Sequence, residues 1–329
     1  MTTTIPNHQP VMLEPLLAAF APYLAQGYGW VDATLGLGGH TLAMLPHLHP
    51  DASLCLNDRD PHALAMAQER LLPHLSLQQQ ANTLWRNAPF GTLAELANDS
   101  PALLARPLCV LADLGVSSYQ LDVAERGFSF RHDGPLDMRM EGSTSDRPTA
   151  ADLVNTATQE ELTHWFFTYG EETLARPMAK AIVTRRQNEA FTTTTQLATL
   201  LAKVSQHCRN TPRSQQRSHP ATRVFQALRI VVNDELAELE TLLADAPTWL
   251  PKGSILALLT FHSLEDRVVK QWGKQAEKGC VCPPRFPVCQ CGIPPVVKAL
   301  SRKPLLPSPE EVESNPRARS VKLRLYQKL

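Results

Sequence analysis

The chain has no excess of either charge: 32 Lys and Arg balance 32 Asp and Glu. Its overall field therefore gives no sign of a polyanionic partner, and any such sign must come from local clustering. It has no apolar run near the ~20 residues that a membrane-spanning helix needs. Residues 1–10 are polar and lack the basic and apolar stretches of an export signal, so a cytoplasmic address without membrane attachment is expected. The seven cysteines form an odd set, which argues against a disulfide scaffold and for reduced thiols. Of these, Cys55, Cys109 and Cys208 read as buried or incidental. No internal repeat is found.

What is present suffices for a large core, because 43% of the 329 residues are hydrophobic; the length suits one large domain or two modest ones. Residues 28–59 read as strand, glycine-rich turn, helix and strand, one βαβ unit. Further strands are expected at 108–115 (LCVLADLG, after Pro107) and 254–261 (SILALLTF, after Gly253). Apolar strands without clean alternation suit a mostly parallel sheet covered on both faces, an α/β fold. Residues 122–217 carry helical periodicity at 159–187 and 194–208 and no comparable strand, and read as a helical insert. The flanking parts, 1–121 and 218–329, would then form one discontinuous domain. An amphipathic run at 219–246 is expected to return the chain to the sheet. The proline-rich tail from Gly279 reads as irregular until Ser320–Tyr326 (SVKLRLY), a candidate edge strand.

Between the first strand and its helix lies Asp32-Ala-Thr-Leu-Gly36-Leu-Gly38-Gly39-His40. Glycines there permit positive φ and close approach of a ligand to the backbone. Asp58, at the end of the next strand, is placed to accept hydrogen bonds from both hydroxyls of a ribose. Together they imply an adenosine-bearing cofactor. A dinucleotide fingerprint would need glycine where this chain has Thr41, which favours S-adenosylmethionine, a cofactor without phosphate. Asp32 either holds the loop or faces the ammonium of the methionine moiety. Phe90 either packs on the adenine or belongs to the core.

Asp113-Leu-Gly-Val-Ser-Ser-Tyr-Gln120 follows another strand and continues into AERGFSFRHDGPLDMRM, a polar loop at the carboxyl end of the sheet, where open α/β folds bind ligands. From here the chain resembles the bacterial ribosomal RNA small-subunit methyltransferases that modify the N4 of a decoding-centre cytosine. The matching motifs run in order: HQPVMLE, DATLGLGGHT, NDRDP, LADLGVSSYQLDVAERGFSFRHDGPLDMRM, YGEE, HPATRVFQALRIVVNDEL, TFHSLEDRVVK and NPRARS. The resemblance implies a class I, Rossmann-like methyltransferase fold with a helical substrate-recognition insert. It also implies S-adenosylmethionine contact by Gly38, Gly39, His40, Asp58, Phe90, Asp113 and Gln120. Tyr119 departs from the proline common in the family's SSPQ, which alters the stiffness of the loop carrying Gln120.

The N4 lone pair of cytosine is delocalised into the ring, so the enzyme must supply an acceptor for an amine proton. Many amino-methylating enzymes use an Asp/Asn/Ser-Pro-Pro-aromatic loop; here Asp113-Leu-Gly-Val keeps only the carboxylate, so Asp113 and nearby backbone carbonyls are expected to orient the amine or the cofactor, with no metal required. His262 after the strand 254–261 is a second acid–base candidate, or a residue fixing the turn. Asp137 and Arg139 would either line a cytosine pocket or pair with each other.

From Arg176 to Arg229 the chain carries ten basic residues, namely Arg176, Lys180, Arg185, Arg186, Lys203, Arg209, Arg213, Arg217, Arg223 and Arg229, against one acid, Glu189. Such an excess in a neutral protein predicts a phosphate-binding surface, with Arg185 and Arg186 chosen as substrate-binding candidates. A further five basic residues follow from Arg317 without a carboxylate. The expected partner is 16S ribosomal RNA within the small ribosomal subunit, at a single-stranded or opened site from which the base leaves its stack. Cys280-Val-Cys282 and Cys289-Gln-Cys291 bring four thiols together, but zinc knuckles usually space theirs CxxC, so unligated thiols are expected. The rival functions are a nicotinamide oxidoreductase, suggested by the glycine loop with Asp58, and a non-catalytic RNA-binding assembly factor, suggested by the basic insert.

Overall fold

The computed structural model describes residues 10–209, 219–283, 285–286 and 288–329. A seven-stranded sheet contains β1 (Gly29–Asp32), β2 (Leu54–Asn57), β3 (Thr83–Arg86), β4 (Leu108–Asp113), β5 (Ile255–Thr260), β6 (Val297–Ala299) and β7 (Lys322–Lys328). Its order is β3-β2-β1-β4-β5-β7-β6. The strands from β3 to β5 pair in parallel, and β7 runs antiparallel to both β5 and β6.

The fully buried runs of β1, β2 and β5 are explained by cores on both faces. Trp30, Leu54, Leu56, Leu111 and Ala257 enter one cluster, while Val31, Cys55, Val110, Leu256 and Leu258 enter another. Alternate residues thus serve opposite faces, as a strand's two-residue period requires. Strand order reverses beside β1: the chain runs outward through β2 and β3, then resumes at β4 on β1's other side. Ligands of open α/β sheets bind at the carboxyl ends flanking such a reversal.

The chain divides into two compact units, residues 1–115 with 236–329, and residues 116–235. The first holds the sheet. The second is helical and has its own core, in which Leu162, Phe166, Met178, Ile182, Leu201 and Leu228 meet.

Two expectations about this region are corrected. The run 219–246 is two helices, Thr222–Asn233 and Glu235–Trp249, and the first packs in the insert's core rather than leading directly to the sheet. The break falls at Asp234, whose φ of 56° leaves the right-handed helix. Just before it, the buried Asn233 amide accepts from Met140 N at 2.8 Å and donates to Met138 O at 2.8 Å and Arg229 O at 2.9 Å. Nor is the tail irregular throughout: β6 and the helix Pro309–Ser314 precede β7. A strand of three residues has too short a pattern to be read alone and exists here through its pairing with β7. Among the described residues, no helix is long and apolar enough to cross a membrane.

Candidate active site at the carboxyl ends of the parallel strands

The chain leaves β1 at Asp32, whose Oδ2 accepts from the Thr41 hydroxyl at 2.7 Å while Oδ1 accepts from Thr34 N at 3.3 Å. Thr41 in turn accepts from the Trp30 indole at 2.9 Å. This buried relay ties both ends of the glycine loop to the strand, so Asp32 is a loop holder. Gly38 has φ 75°, and a Cβ on it would fall 2.8 Å from Leu71 Cδ1. Both the left-handed backbone and the close approach require glycine there. A Cβ on Gly39 would meet Pro10 Cγ at 2.8 Å, so its smallness admits the Pro10 ring.

Asp58 sits immediately beyond β2. Its Oδ2 accepts from Gly36 N at 2.6 Å and its Oδ1 from Asp60 N at 2.8 Å. Each oxygen keeps capacity for another donor. Burial pushes the carboxyl up to about 6 despite these hydrogen bonds. Asn57, overlooked in the sequence, fastens the strand ends together: its amide donates to Ala33 O at 2.8 Å and Ala88 O at 3.0 Å, and accepts from Arg86 Nη1 at 3.1 Å.

Asp113 ends β4, and its N–H donates to Thr34 Oγ1 at 2.7 Å. Its Oδ2 lies 3.6 Å from His40 Nδ1. His40 Nε2 is 2.8 Å from Val11 O, which can only accept, so Nε2 carries the proton and Nδ1 turns its lone pair toward Asp113. Burial holds the His40 pKa below its ordinary value, favouring that neutral form. Asp113 is pushed up to about 7, first by burial and then by the negative charge of Glu265. Its Oδ1 is buried without a hydrogen-bond partner.

His262 is the N-cap of the helix Ser263–Lys278. Its Nδ1 accepts from Glu265 N at 3.4 Å, and Glu265 Oε2 accepts from Phe261 N at 2.7 Å and His262 N at 3.2 Å. His262 Nε2 lies 3.0 Å from Glu265 Oε1 without hydrogen-bond alignment. The ring is occupied in fixing the turn and in holding Glu265, the charge that acts on Asp113. Glu265 was not singled out in the sequence; its place three residues after the cap, as in a capping box, was the available signal.

Phe90 opens a short 3-10 helix and is partly buried against the core. The structure therefore brings together Gly36, Gly38, His40, Asp58 and Asp113 within the sheet unit. Gln120, Asp137, Arg139, Arg185 and Arg186 belong to the helical unit. Gln120 occupies the third position of the helix Ser118–Asp122, where Ser117 N donates to its Oε1 at 3.1 Å. Asp137 and Arg139 pair through two bonds of 2.7 and 2.8 Å, and Arg139 also donates to Ser145 O at 2.8 Å. Arg185 pairs with exposed Glu189 at 2.8 Å and lies 4.7 Å over the Phe191 ring; Arg186 donates to Val154 O at 2.7 Å. Arg176, Lys180, Lys203 and Arg223 are exposed, whereas Arg229 is clamped by Glu235 at 2.8 and 2.9 Å. Arg213 and Arg217 lie outside the described residues, and Arg209 is described only as a helix end. In the basic tail, Lys322 and Arg324 both pair with Asp266, at 2.7 and 2.9 Å.

An open, mostly parallel sheet with a glycine loop after its first strand, an acid after the second and another acid at the switch point defines a Rossmann-like α/β fold built to hold a nucleoside cofactor. Within that class the chain belongs to the MraW methylase family, whose model matches residues 6–329. It is 42% identical over 325 residues to the ribosomal RNA small subunit methyltransferase H of Lawsonia intracellularis, covering 98% of this chain and 99% of that protein. The proteins of the same name from Trichlorobacter lovleyi and Desulfovibrio desulfuricans are each 44% identical, covering 98% and 100% of this chain and 98% and 96% of theirs. The α/β methyltransferase fold and the family expected from the ordered motifs are both confirmed.

Proposed function

We propose that this chain transfers a methyl group from S-adenosylmethionine to the N4 amine of a cytosine in the decoding centre of 16S ribosomal RNA, acting in the cytoplasm on RNA within the small ribosomal subunit. The observation that carries the reading is Asp113, a half-buried carboxylate beside the glycine loop whose Oδ1 is enclosed without a hydrogen-bond partner. Relatives named as ribosomal RNA methyltransferases across nearly their whole length favour it over the oxidoreductase and the non-catalytic factor.

The residues fit the cofactor. Gly36 N–H is already engaged by a carboxylate, so a phosphate brought to it would face negative charge; a phosphate-free, cationic ligand would meet attraction from the raised acids Asp58 and Asp113. Asp58 would accept from ribose hydroxyls and Phe90 would pack on adenine, with the loop at Gly38, Gly39 and His40 beneath and Gln120 a further contact. When bound, S-adenosylmethionine supplies an electrophilic methyl carbon on a positively charged sulfur. Asp113, in its ionised form, would orient the cytosine amine and take up the proton that N4 gives up. His40 Nδ1 turns its lone pair toward the other carboxylate oxygen, an arrangement that favours the protonated carboxyl formed once the proton has been taken up. His262 acts through the turn by fixing Glu265, whose charge raises the proton affinity of Asp113.

The helical unit is the proposed RNA-recognition domain. Exposed Arg176, Lys180, Lys203 and Arg223 offer phosphate contacts. A groove lined by Phe130, His219, Lys203 and Gln206 carries two tilted aromatic rings, Phe130 and His219, with centroids 4.6 Å apart; aromatic faces in such grooves receive unstacked bases. Asp137 and Arg139, paired, would shape the cytosine pocket as one unit. The test is transfer of labelled methyl to small subunits from cells lacking this protein, followed by mapping of the modified base. Label at a cytosine N4 is expected. No transfer, or label on another atom, rejects the reading. For Asp113→Ala, turnover is expected to vanish while donor binding persists; retained turnover removes Asp113 from the chemistry.

A further inference from the structure

The helix Ser263–Lys278 and β6 are joined by a loop that the proposed chemistry leaves unused. It carries Cys280, Cys282, Cys289 and Cys291, whose four sulfur atoms all lie within 4.8 Å of one another. All four are free thiols. Cys289 and Cys291 have sulfurs 3.5 Å apart. A tetrahedral zinc ion with Zn–S bonds of ~2.3 Å needs its sulfurs roughly 3.8 Å apart, so the thiols stand close to the required spacing before any ion enters.

Three further observations distinguish this group from thiols that are neighbours by chance. Backbone N–H groups of Gln290 and Cys291 both donate to Cys282 Sγ, each at 3.3 Å; such donors stabilise thiolate charge and orient the ligand, as outer-shell hydrogen bonds do around metals. The loop's ends are drawn together: Gly279 has φ 66°, and a Cβ there would fall 2.4 Å from the carbonyl of Pro294. Finally, the loop has no apolar support of its own. None of the described side chains from Cys280 to Pro295 joins a hydrophobic core, while Val281, Phe286, Val288 and Ile293 are exposed at 61, 45, 72 and 44%. A compact segment that buries so little needs a staple, and cysteines in a reducing compartment supply one through metal rather than disulfides.

We propose that Cys280, Cys282, Cys289 and Cys291 bind one structural zinc ion that closes this loop. All four ligand positions are protein thiolates, so the site has no open position for catalysis. It departs from the expectation of unligated thiols, which rested on the CxC spacing: the fold supplies the convergence that CxxC supplies locally.

The experiment uses the full chain, expressed with zinc in the medium and purified without chelator or metal-affinity resin. Elemental analysis is expected to give about one zinc per chain. Cys280→Ser combined with Cys289→Ser should abolish it, and Cys208→Ser should retain it. Replacement by Co²⁺ should give the intense sulfur-to-cobalt charge-transfer absorption and visible bands of a tetrahedral tetrathiolate, a wild-type readout that holds even if the double variant fails to fold. Displacing the zinc with a mercurial should open residues 279–295 to protease. The proposal is overturned by protein that neither contains zinc nor takes up Zn²⁺ against a chromogenic chelator. Disulfides in the intact mass, iron in place of zinc, or zinc retained by the double variant would each overturn it as well.

Discussion

Asp113 does opposite things for stability and for chemistry. Its carboxyl is pushed from an ordinary value near 3.8 up to about 7, and Asp58 is raised to about 6, burial being the leading cause in both. The folded chain therefore binds more protons than the unfolded chain between about pH 4 and 7, so this contribution to stability is largest at low pH and is lost as pH rises through the folded pKa. Charged or titratable neighbours of Asp113 are His40, held neutral, Glu265, which repels its ionised form, and the buried Asp32, whose own carboxyl is raised in part by the charge of Asp113. Asp113→Asn removes that repulsion and is expected to raise the melting temperature at pH 8, with the advantage shrinking toward pH 4; an equal gain at both pH values would contradict the raised pKa. Turnover needs the ionised form, so the wild-type rate should climb through about pH 7 and level off above it. Asp58→Ala would remove an acceptor of charged hydrogen bonds, weakening donor binding by roughly 10- to 100-fold; calorimetric titration with the donor measures it.

At the scale of elements, the loop after β1 is held by crossed fastenings: Asp32 to Thr41, Gly36 to Asp58, and Asn57 to the turns after β1 and β3. Gly38→Ala would force a left-handed φ on a residue with a Cβ 2.8 Å from Leu71. A loss of about 1–3 kcal/mol is expected, read as a shifted urea midpoint, together with weakened donor binding because the loop must move. The helix Ala175–Arg186 ends in Arg185 and Arg186. Arg185's ion pair with an exposed Glu189 holds it weakly, so exchange of that partner for phosphate costs little. Arg185→Glu with Arg186→Glu should weaken RNA binding in a filter assay while donor affinity stays unchanged; unaltered RNA affinity would remove this helix end from the interface. Of these elements the sequence made the glycine loop and Asp58 legible because a βαβ unit is contiguous. It left Asn57 and Thr34 unnoticed, since the partners that give them meaning, Ala88 and Asp113, are defined by strand register, and it left unseen the charge of Glu265 on Asp113, which lies on a different strand end.

At the scale of the molecule, a neutral chain keeps its basic excess in one stretch of the helical unit while the sheet unit gathers buried acids. Binding through that stretch should depend on counterion release, so RNA affinity is expected to fall steeply and log-linearly with salt while donor affinity changes little. A flat salt profile would point away from phosphate contacts. Composition, the period of the apolar pattern and the order of short motifs determined the α/β class, the family and the glycine loop, because each is written in residues that lie next to one another. Only the tertiary structure decided that the amphipathic run 219–246 breaks at Asp234, that His262 caps a helix and that Asp137 and Arg139 bond to each other. It alone decided that four cysteines converge. Those outcomes turn on distances between groups and on which backbone donors remain unpaired, and such quantities come into being when the sheet sets its register and the loops close.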